Sequence, residues 1–283
     1  MSSVDTPRPC RPRQLGMQVA LVIGLCVWLL PLAGVALTSF RSAEDLNRGN
    51  YWGWPTEFSA IENYAAVFTL SPMGTFLFNS LVIAIPSVVG TVAVSCMAGF
   101  VLAKYRFPGN TILFAVFIAG NFVPSQILMI PVRNLMVSLD LYNTRWALVL
   151  FHIAFQTGFC TLFMRNFIRQ LPASLFETAR LEGLGGFRVL WYIVLPLLRP
   201  AIAGVSVLIF TFIWNDYFWG TVLVHSDDVR TITAGLQTLR GMWTTSYHLM
   251  AAGAILAAVP PVALFFFMQR EFIAGLTLGS GEE

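Results

Sequence analysis

Residues 75–103 read TFLFNSLVIAIPSVVGTVAVSCMAGFVLA, a run without one charged side chain. Hydrocarbon offers no partner to a backbone amide, so a chain crossing it must bond to itself as a helix. About 20 apolar residues suffice to cross. Five further runs meet the same condition: Met17–Phe40, Thr111–Pro131, Trp146–Met164, Ala201–Val224 and Met250–Met268. Among the six, only the fifth holds a charged residue, Asp216. The run Leu190–Leu198 is too short to cross and reads as an interfacial helix. The expected fold is an all-α polytopic membrane protein with six transmembrane helices.

The composition of the 283 residues agrees: 57% are hydrophobic and only 11% charged, against about 25% charged in a soluble domain. Mean hydropathy is +0.71. The net charge of +3 comes from arginines spread along the chain rather than gathered on one face, so no nucleic-acid footprint is present. Lys104, the only lysine, follows Ala103, whereas a phosphate-cradling loop needs Gly-Lys-Ser/Thr. Cys10, Cys26, Cys96 and Cys160 show no metal-ligand spacing, so neither a metal site nor a disulfide framework is expected.

Basic residues orient membrane helices, being retained on the cytoplasmic side. Arg8, Arg11, Arg13, Lys104, Arg106, Arg165, Arg169, Arg180, Arg188, Arg199 and Arg270 fall on one side. The other holds Arg41, Arg48, Arg133, Arg145, Arg230 and Arg240. Both termini are therefore expected in the cytoplasm. Trp52, Trp54, Trp146, Trp219 and Trp243 then lie at or beyond the outer boundary. The expected division is a cytoplasmic tail (1–16), a first span (17–40), an external loop (41–74), a core of five spans (75–268) and a second cytoplasmic tail (269–283).

Short turns join antiparallel helices, so the long connection Arg165–Pro200 calls for a reason. Its centre, Leu171–Gly183, reads LPASLFETARLEG. Ser174 and Glu177 have the spacing of a capping box, in which each side chain bonds a free amide of the first turn. Gly183 stands where a helix-ending residue of positive φ belongs. A short helix over about Leu175–Glu182 is expected, with Leu175, Phe176, Ala179 and Leu181 giving it more apolar surface than a solvated turn needs. Such an apolar cluster flanked by charges suggests a docking element.

Glu177-Thr178-Ala179, three residues, Gly183, nine residues, then Ile193-Val194-Leu195-Pro196 resembles the EAA motif of binding-protein-dependent ABC importer permeases, with Thr178 in place of the usual first alanine. Residues Gln269–Thr277, after Pro260-Pro261, resemble the tail of carbohydrate permeases of the maltose-transporter type, as does Trp214-Asn215-Asp216-Tyr217-Phe218. The resemblance implies a type I importer permease fold in the bacterial inner membrane. It further implies a second permease subunit (a heterodimer), two ATP-binding subunits that hold ATP and Mg, and an extracytoplasmic substrate-binding protein. This chain would then hold no cofactor and catalyse nothing. By motif, Glu177, Ala179 and Gly183 would form the ATPase-coupling contact. Leu175, Phe176 and Leu181 would serve as packing, with Arg180 and Glu182 as flanking charges.

Ionisable groups inside a bilayer are costly and mark function or structure. Asp216 and His152 are the acid and the histidine of the spans. Asp216 is read either as an interfacial, structural acid or, with Asn215, as part of the translocation path. Trp214 and Tyr217 fit a stacking surface for a sugar or a belt of interfacial anchors. Asn121 and Gln126 flank Pro124, and Gln156 lies in the fourth span; helix–helix bonding and path lining both suit them. Gly90, Gly99, Ser87 and Ser95 give the second span the small residues of close helix packing. The competing reading is a proton-coupled secondary transporter with a His152–Asp216 relay.

Overall fold

The computed structural model describes residues 12–240 and 246–279, and side chains within 16–240 and 246–271. The first eleven residues of the amino-terminal tail, Trp243 and the final residues 280–283 of the expected second tail lie outside them. The helices are α1 (Pro12–Ser39), α2 (Ala43–Asn47), α3 (Ala60–Leu70), α4 (Met73–Lys104) and α5 (Asn110–Gly120). Then follow α6 (Met129–Ser138), α7 (Arg145–Gln170), α8 (Ala173–Leu181), α9 (Gly186–Val189) and α10 (Leu195–Leu197). The series closes with α11 (Arg199–Trp214), α12 (Phe218–Val222), α13 (Ile232–Gly235) and α14 (Tyr247–Gly279).

Four continuous helices are long and apolar enough to cross a membrane: α1, α4, α7 and α14. Two further spans are bent pairs, which brings the number to six when each pair counts once. The expectation of unbroken third and fifth spans is corrected. The third stops at Gly120, bends by 91° and resumes through a 3₁₀ turn at Ser125–Leu128 into α6. Pro124 causes the stop, since it lacks an N–H and disfavours helical geometry in the residue before it. The fifth ends at Trp214 instead of Val224, and beyond the break come α12 and a loop. The run read as an interfacial helix continues from α9 through a π turn at Leu190–Val194 into α10, then bends by 78° into α11. Pro196 cannot donate to the helix behind it, and π turns accommodate such gaps. The last helix runs through Gly279, so most of the expected second tail is helical.

The described chain forms two compact units. One comprises residues 1–67 and 240–255. Its organising group is Arg41, fully buried although the sequence reading counted it among loop charges. Its guanidinium donates to the carbonyls of Asn50 and Gly53. Asn63, also buried, donates to the carbonyls of Ser39 at 3.0 Å and Arg41 at 2.7 Å. Ser42 caps α2 through the Asp45 amide. The Asp45 carboxylate then accepts from the Thr56 hydroxyl at 2.7 Å and the Thr56 amide at 2.9 Å. The expected external loop is thus a folded element knotted on polar groups.

The other unit comprises residues 68–239 and 256–283. Its central contact is α4 against α7. Ser95 donates to the Thr157 carbonyl across this contact at 3.2 Å. A Cβ at Gly99 would lie 2.9 Å from the Arg165 amide nitrogen and 3.0 Å from the Met164 Cβ. Backbone cannot yield as a flexible side chain does, so the small residue sets how closely the helices approach.

Gly99→Ala is expected to destabilise the detergent-solubilised chain by about 1–3 kcal/mol through overpacking, more than Ser95→Ala, as measured by thermal unfolding. In the other unit, the Thr56 hydroxyl and amide hold the Asp45 pKa below its usual 3.8. The carboxylate therefore stabilises residues 43–56 above the unfolded carboxylate pKa, and that support is lost as pH falls through the lower folded value. Asp45→Asn should speed amide hydrogen exchange there at pH 7, with the gap from wild type closing below pH 3.8.

Candidate functional site

The EAA segment is built on α8. Pro172, extended at φ −54° and ψ 136°, sits at the N-cap and makes no side-chain cap. The capping box is thereby corrected: the helix begins at Ala173, two residues before the expected start. Ser174 then lies in the first turn and Glu177 in the second, too far along the helix to exchange bonds with the N-cap. Proline suffices there because it presets the backbone and removes one donor that would need a partner.

The opposite end matches the expectation. Gly183 has φ +75°. Its amide donates to the Arg180 carbonyl and the Leu184 amide donates to the Ala179 carbonyl, both at 3.0 Å. This is the double bond pattern of a Schellman ending, which needs a left-handed residue at that point.

Ala179 is 2% exposed and anchors α8, whereas Leu181 is 89% exposed. Leu175, Glu177, Arg180, Glu182 and Gly183 are exposed as well. The face turned inward carries Phe176, whose ring lies under the Lys104 ammonium at 3.7 Å. A cation over a ring face is worth about 0.5–2 kcal/mol. Lys104, to which the sequence alone assigns no contact, therefore ties the end of α4 to the EAA helix. Its signal was its position: a solitary lysine closing a long apolar run. The side chains of Glu177 and Arg180 make no ion pair or hydrogen bond among the described residues.

The second set of candidates lies where α11 stops. Asn215 is exposed and donates to the Thr211 carbonyl of its own helix at 2.9 Å. Asp216 caps the turn that follows, Oδ1 accepting from the Trp219 amide at 3.1 Å. Its carbonyl accepts from the Thr233 hydroxyl at 3.0 Å. The other oxygen, Oδ2, stands 3.5 Å from His152 Nε2. The structure thus brings together the two ionisable groups picked out in the spans, and the Phe151 and Trp219 rings, tilted at 32° with centres 3.9 Å apart, pack beside them.

Trp214 differs from its stacking expectation. It is 2% exposed, stacks on Phe210 and donates its indole N–H to the Ala257 carbonyl at 2.9 Å. A buried, bonded indole has no free face for a sugar. Tyr217 is exposed. Asn121 donates to the Phe117 carbonyl of its own helix at 2.9 Å rather than to another helix. Gln126 is exposed and Gln156 half-buried.

A network that the sequence reading missed holds the loop after α12. Buried Asn79 donates to the carbonyls of Asp228 and Arg230, each at 3.0 Å, and accepts from Arg145 Nε at 2.9 Å. Asn143, at φ +60°, accepts from the amides of His225 and Ser226. Only tertiary proximity reveals these partners, since they are 66 to 151 residues apart.

Residues 92–276 match the family of binding-protein-dependent transport system inner membrane components. The arabinooligosaccharides transport system permease protein AraQ of Halalkalibacterium halodurans is 34% identical, over 89% of this chain and 90% of its own length. The fold is that of a bacterial ABC transporter involved in importing the acidic polysaccharide alginate, at TM-score 0.75 and 21% identity, covering 94% of this chain and all of the other. A second structure, of an alginate ABC transporter in complex with an alginate pentasaccharide-bound periplasmic protein, aligns at TM-score 0.63 and 14% identity over 90% of this chain and 93% of the other. A short helix with a Schellman ending, spans broken where polar groups cluster, and this agreement along nearly the whole length make one conclusion: the chain is a multi-pass permease belonging to the binding-protein-dependent transport system inner membrane components.

Proposed function

We propose that the chain is half of the translocation path of an ATP-driven importer for a sugar or sugar derivative. Energy enters through α8 as the coupling helix, with both termini in the cytoplasm. A second, different permease completes the path. Two ATP-binding subunits carrying ATP and Mg dock below, and an extracytoplasmic binding protein delivers the solute. The carbohydrate class is supported by the arabinooligosaccharide and alginate transporters that the chain resembles. The binding-protein partner is supported by the alginate complex.

The observation that carries the coupling role is the contrast within one helix. Ala179 is held at 2% exposure while Leu181, two residues on, stands at 89%. A leucine so exposed contributes little to its own chain and is suited to another protein's groove. Glu177, Arg180 and Glu182 supply charges around it, and Leu175 extends the apolar patch. The Schellman ending keeps this knob at a fixed angle to α9. A push on α8 is therefore passed to α4 through Phe176 and Lys104, and to α11 through α9 and α10.

For the path itself, the polar candidates are Asn121, Gln126, Gln156, Asn215, Asp216 and Tyr217. Trp214 is assigned to packing. The His152–Asp216 pair is assigned to holding the turn after α11 against α7, which explains its approach without a proton relay.

Leu181→Ala is expected to leave chain stability within about 0.5 kcal/mol, as exposed substitutions do, while substrate-stimulated ATP hydrolysis by the assembled transporter falls at least tenfold. Gly183→Ala should cost about 1–2 kcal/mol locally, because φ is positive there, and lower the same stimulation. Unchanged stimulation in Leu181→Ala combined with Gly183→Asp overturns the coupling role. Uptake into vesicles supplied with ATP should persist when the proton gradient is collapsed. Uptake that follows the gradient instead restores the relay.

A further inference from the structure

The end of α4 faces the EAA helix across a cleft of about 420 Å³, within the ~300–1,000 Å³ range of small-molecule sites. Lys104, Arg106, Arg180 and Glu177 line it, three cations against one acid. None of the four side chains makes a hydrogen bond or ion pair among the described residues, and the Lys104 ammonium lies over the Phe176 ring. A second, apolar groove of about 530 Å³ adjoins it, lined by Met97, Val101, Phe107, Phe187 and Leu190. The two share Phe100, Tyr105, Arg106 and Gly186. Gly186 is where a side chain would strike the Tyr105 hydroxyl, so its bareness lets Tyr105 lie between the two spaces.

The depth of this pair of spaces is set by two features. The spanning helix α4 ends at Lys104. Phe187, Trp191 and Tyr192 stand exposed nearby in sequence, with Phe187 stacked on Trp191, and such aromatics collect at the membrane–water boundary. Cationic cleft and apolar groove adjoin at the end of the spanning helix, with the apolar lining reaching back to Met97 within it, an arrangement suited to the headgroup region. Basic pockets between membrane helices accept anionic headgroups, and arginine matches phosphate oxygens in pairs.

We propose that this composite site binds one anionic phospholipid, its phosphate among Lys104, Arg106 and Arg180 and an acyl chain along Met97, Val101 and Leu190. The lipid bridges the end of α4 to α8 and α9, so the charge of the membrane bears directly on the seating of the EAA helix. The site stands on the span and its charges and does not depend on which solute is carried.

The test uses the complete purified transporter in nanodiscs of phosphatidylcholine with graded phosphatidylglycerol. Lipids retained after detergent exchange are counted by native mass spectrometry. Wild type is expected to retain phosphatidylglycerol at least tenfold over phosphatidylcholine. Retention should weaken about fivefold for each basic side chain removed, as in Lys104→Gln with Arg106→Gln, and survive in Lys104→Arg with Arg106→Lys. Val101→Trp, which fills the apolar groove and leaves the charges, should also lose the lipid; this arm stands even where the double glutamine variant fails to fold. Equal retention of the two lipids, or retention unchanged in both the glutamine pair and Val101→Trp, overturns the proposal. Displacement by soluble glycerol phosphate identifies a free-anion site and overturns it too. So does retention seen only after the ATP-binding subunits are stripped away, which gives the cleft to protein.

Discussion

A peptide group inside hydrocarbon has no water to bond, so every interruption of a spanning helix must satisfy its own freed amides and carbonyls. The chain does so with side chains at two of its breaks. Asn121 folds back on the Phe117 carbonyl where Pro124 stops the third span. Asn215 does the same for Thr211 where the fifth span ends, and Asp216 receives the Trp219 amide of the next turn. Within unbroken helices, Ser87, Thr157 and Thr211 bond the carbonyl four residues earlier, so their hydroxyls add no unpaired polar group. The polar residues of the spans are in the first place the means by which an irregular helix survives in lipid.

That constraint shapes where function can reside. Spans that break leave polar side chains exposed, as at Asn215 and Tyr217, whereas unbroken α4 and α7 form the frame. Helix α4 has 32 residues, about 48 Å at 1.5 Å per residue. Near its start, Asn79 and Ser80 hold the loop after α12. Its far end places Lys104 over Phe176 of the EAA helix. One stiff helix therefore touches the loop after α12 near its start and the proposed point of energy input near its end. Coupling between distant sites needs such a continuous packed element, and Gly99 keeps α4 locked against α7 along the way.

Part of the site was legible because it obeys local rules. Gly183 was expected at a left-handed ending because the chain needs that backbone sign wherever its neighbours lie. The capping box was misread since two residues of matching type at matching spacing specify a cap only if the helix starts at the right position, and Pro172 starts it earlier. In the sequence Arg41 is one more basic residue of an outer loop; only the carbonyls of Asn50 and Gly53, folded around it, reveal a buried anchor. Trp214 next to Asn215 and Asp216 looked like a solute contact until Ala257 was found bonded to its indole.

The six apolar runs, the glycine ending of the short helix and the family resemblance were determined by the sequence alone, since hydropathy over twenty residues and a glycine's backbone freedom are local properties. Tertiary structure decided where the spans bend, that His152 meets Asp216, and that the solitary lysine seats the EAA helix. Those depend on which surfaces touch after the chain has folded, and residues far apart in sequence carry no local mark of the partner they will meet.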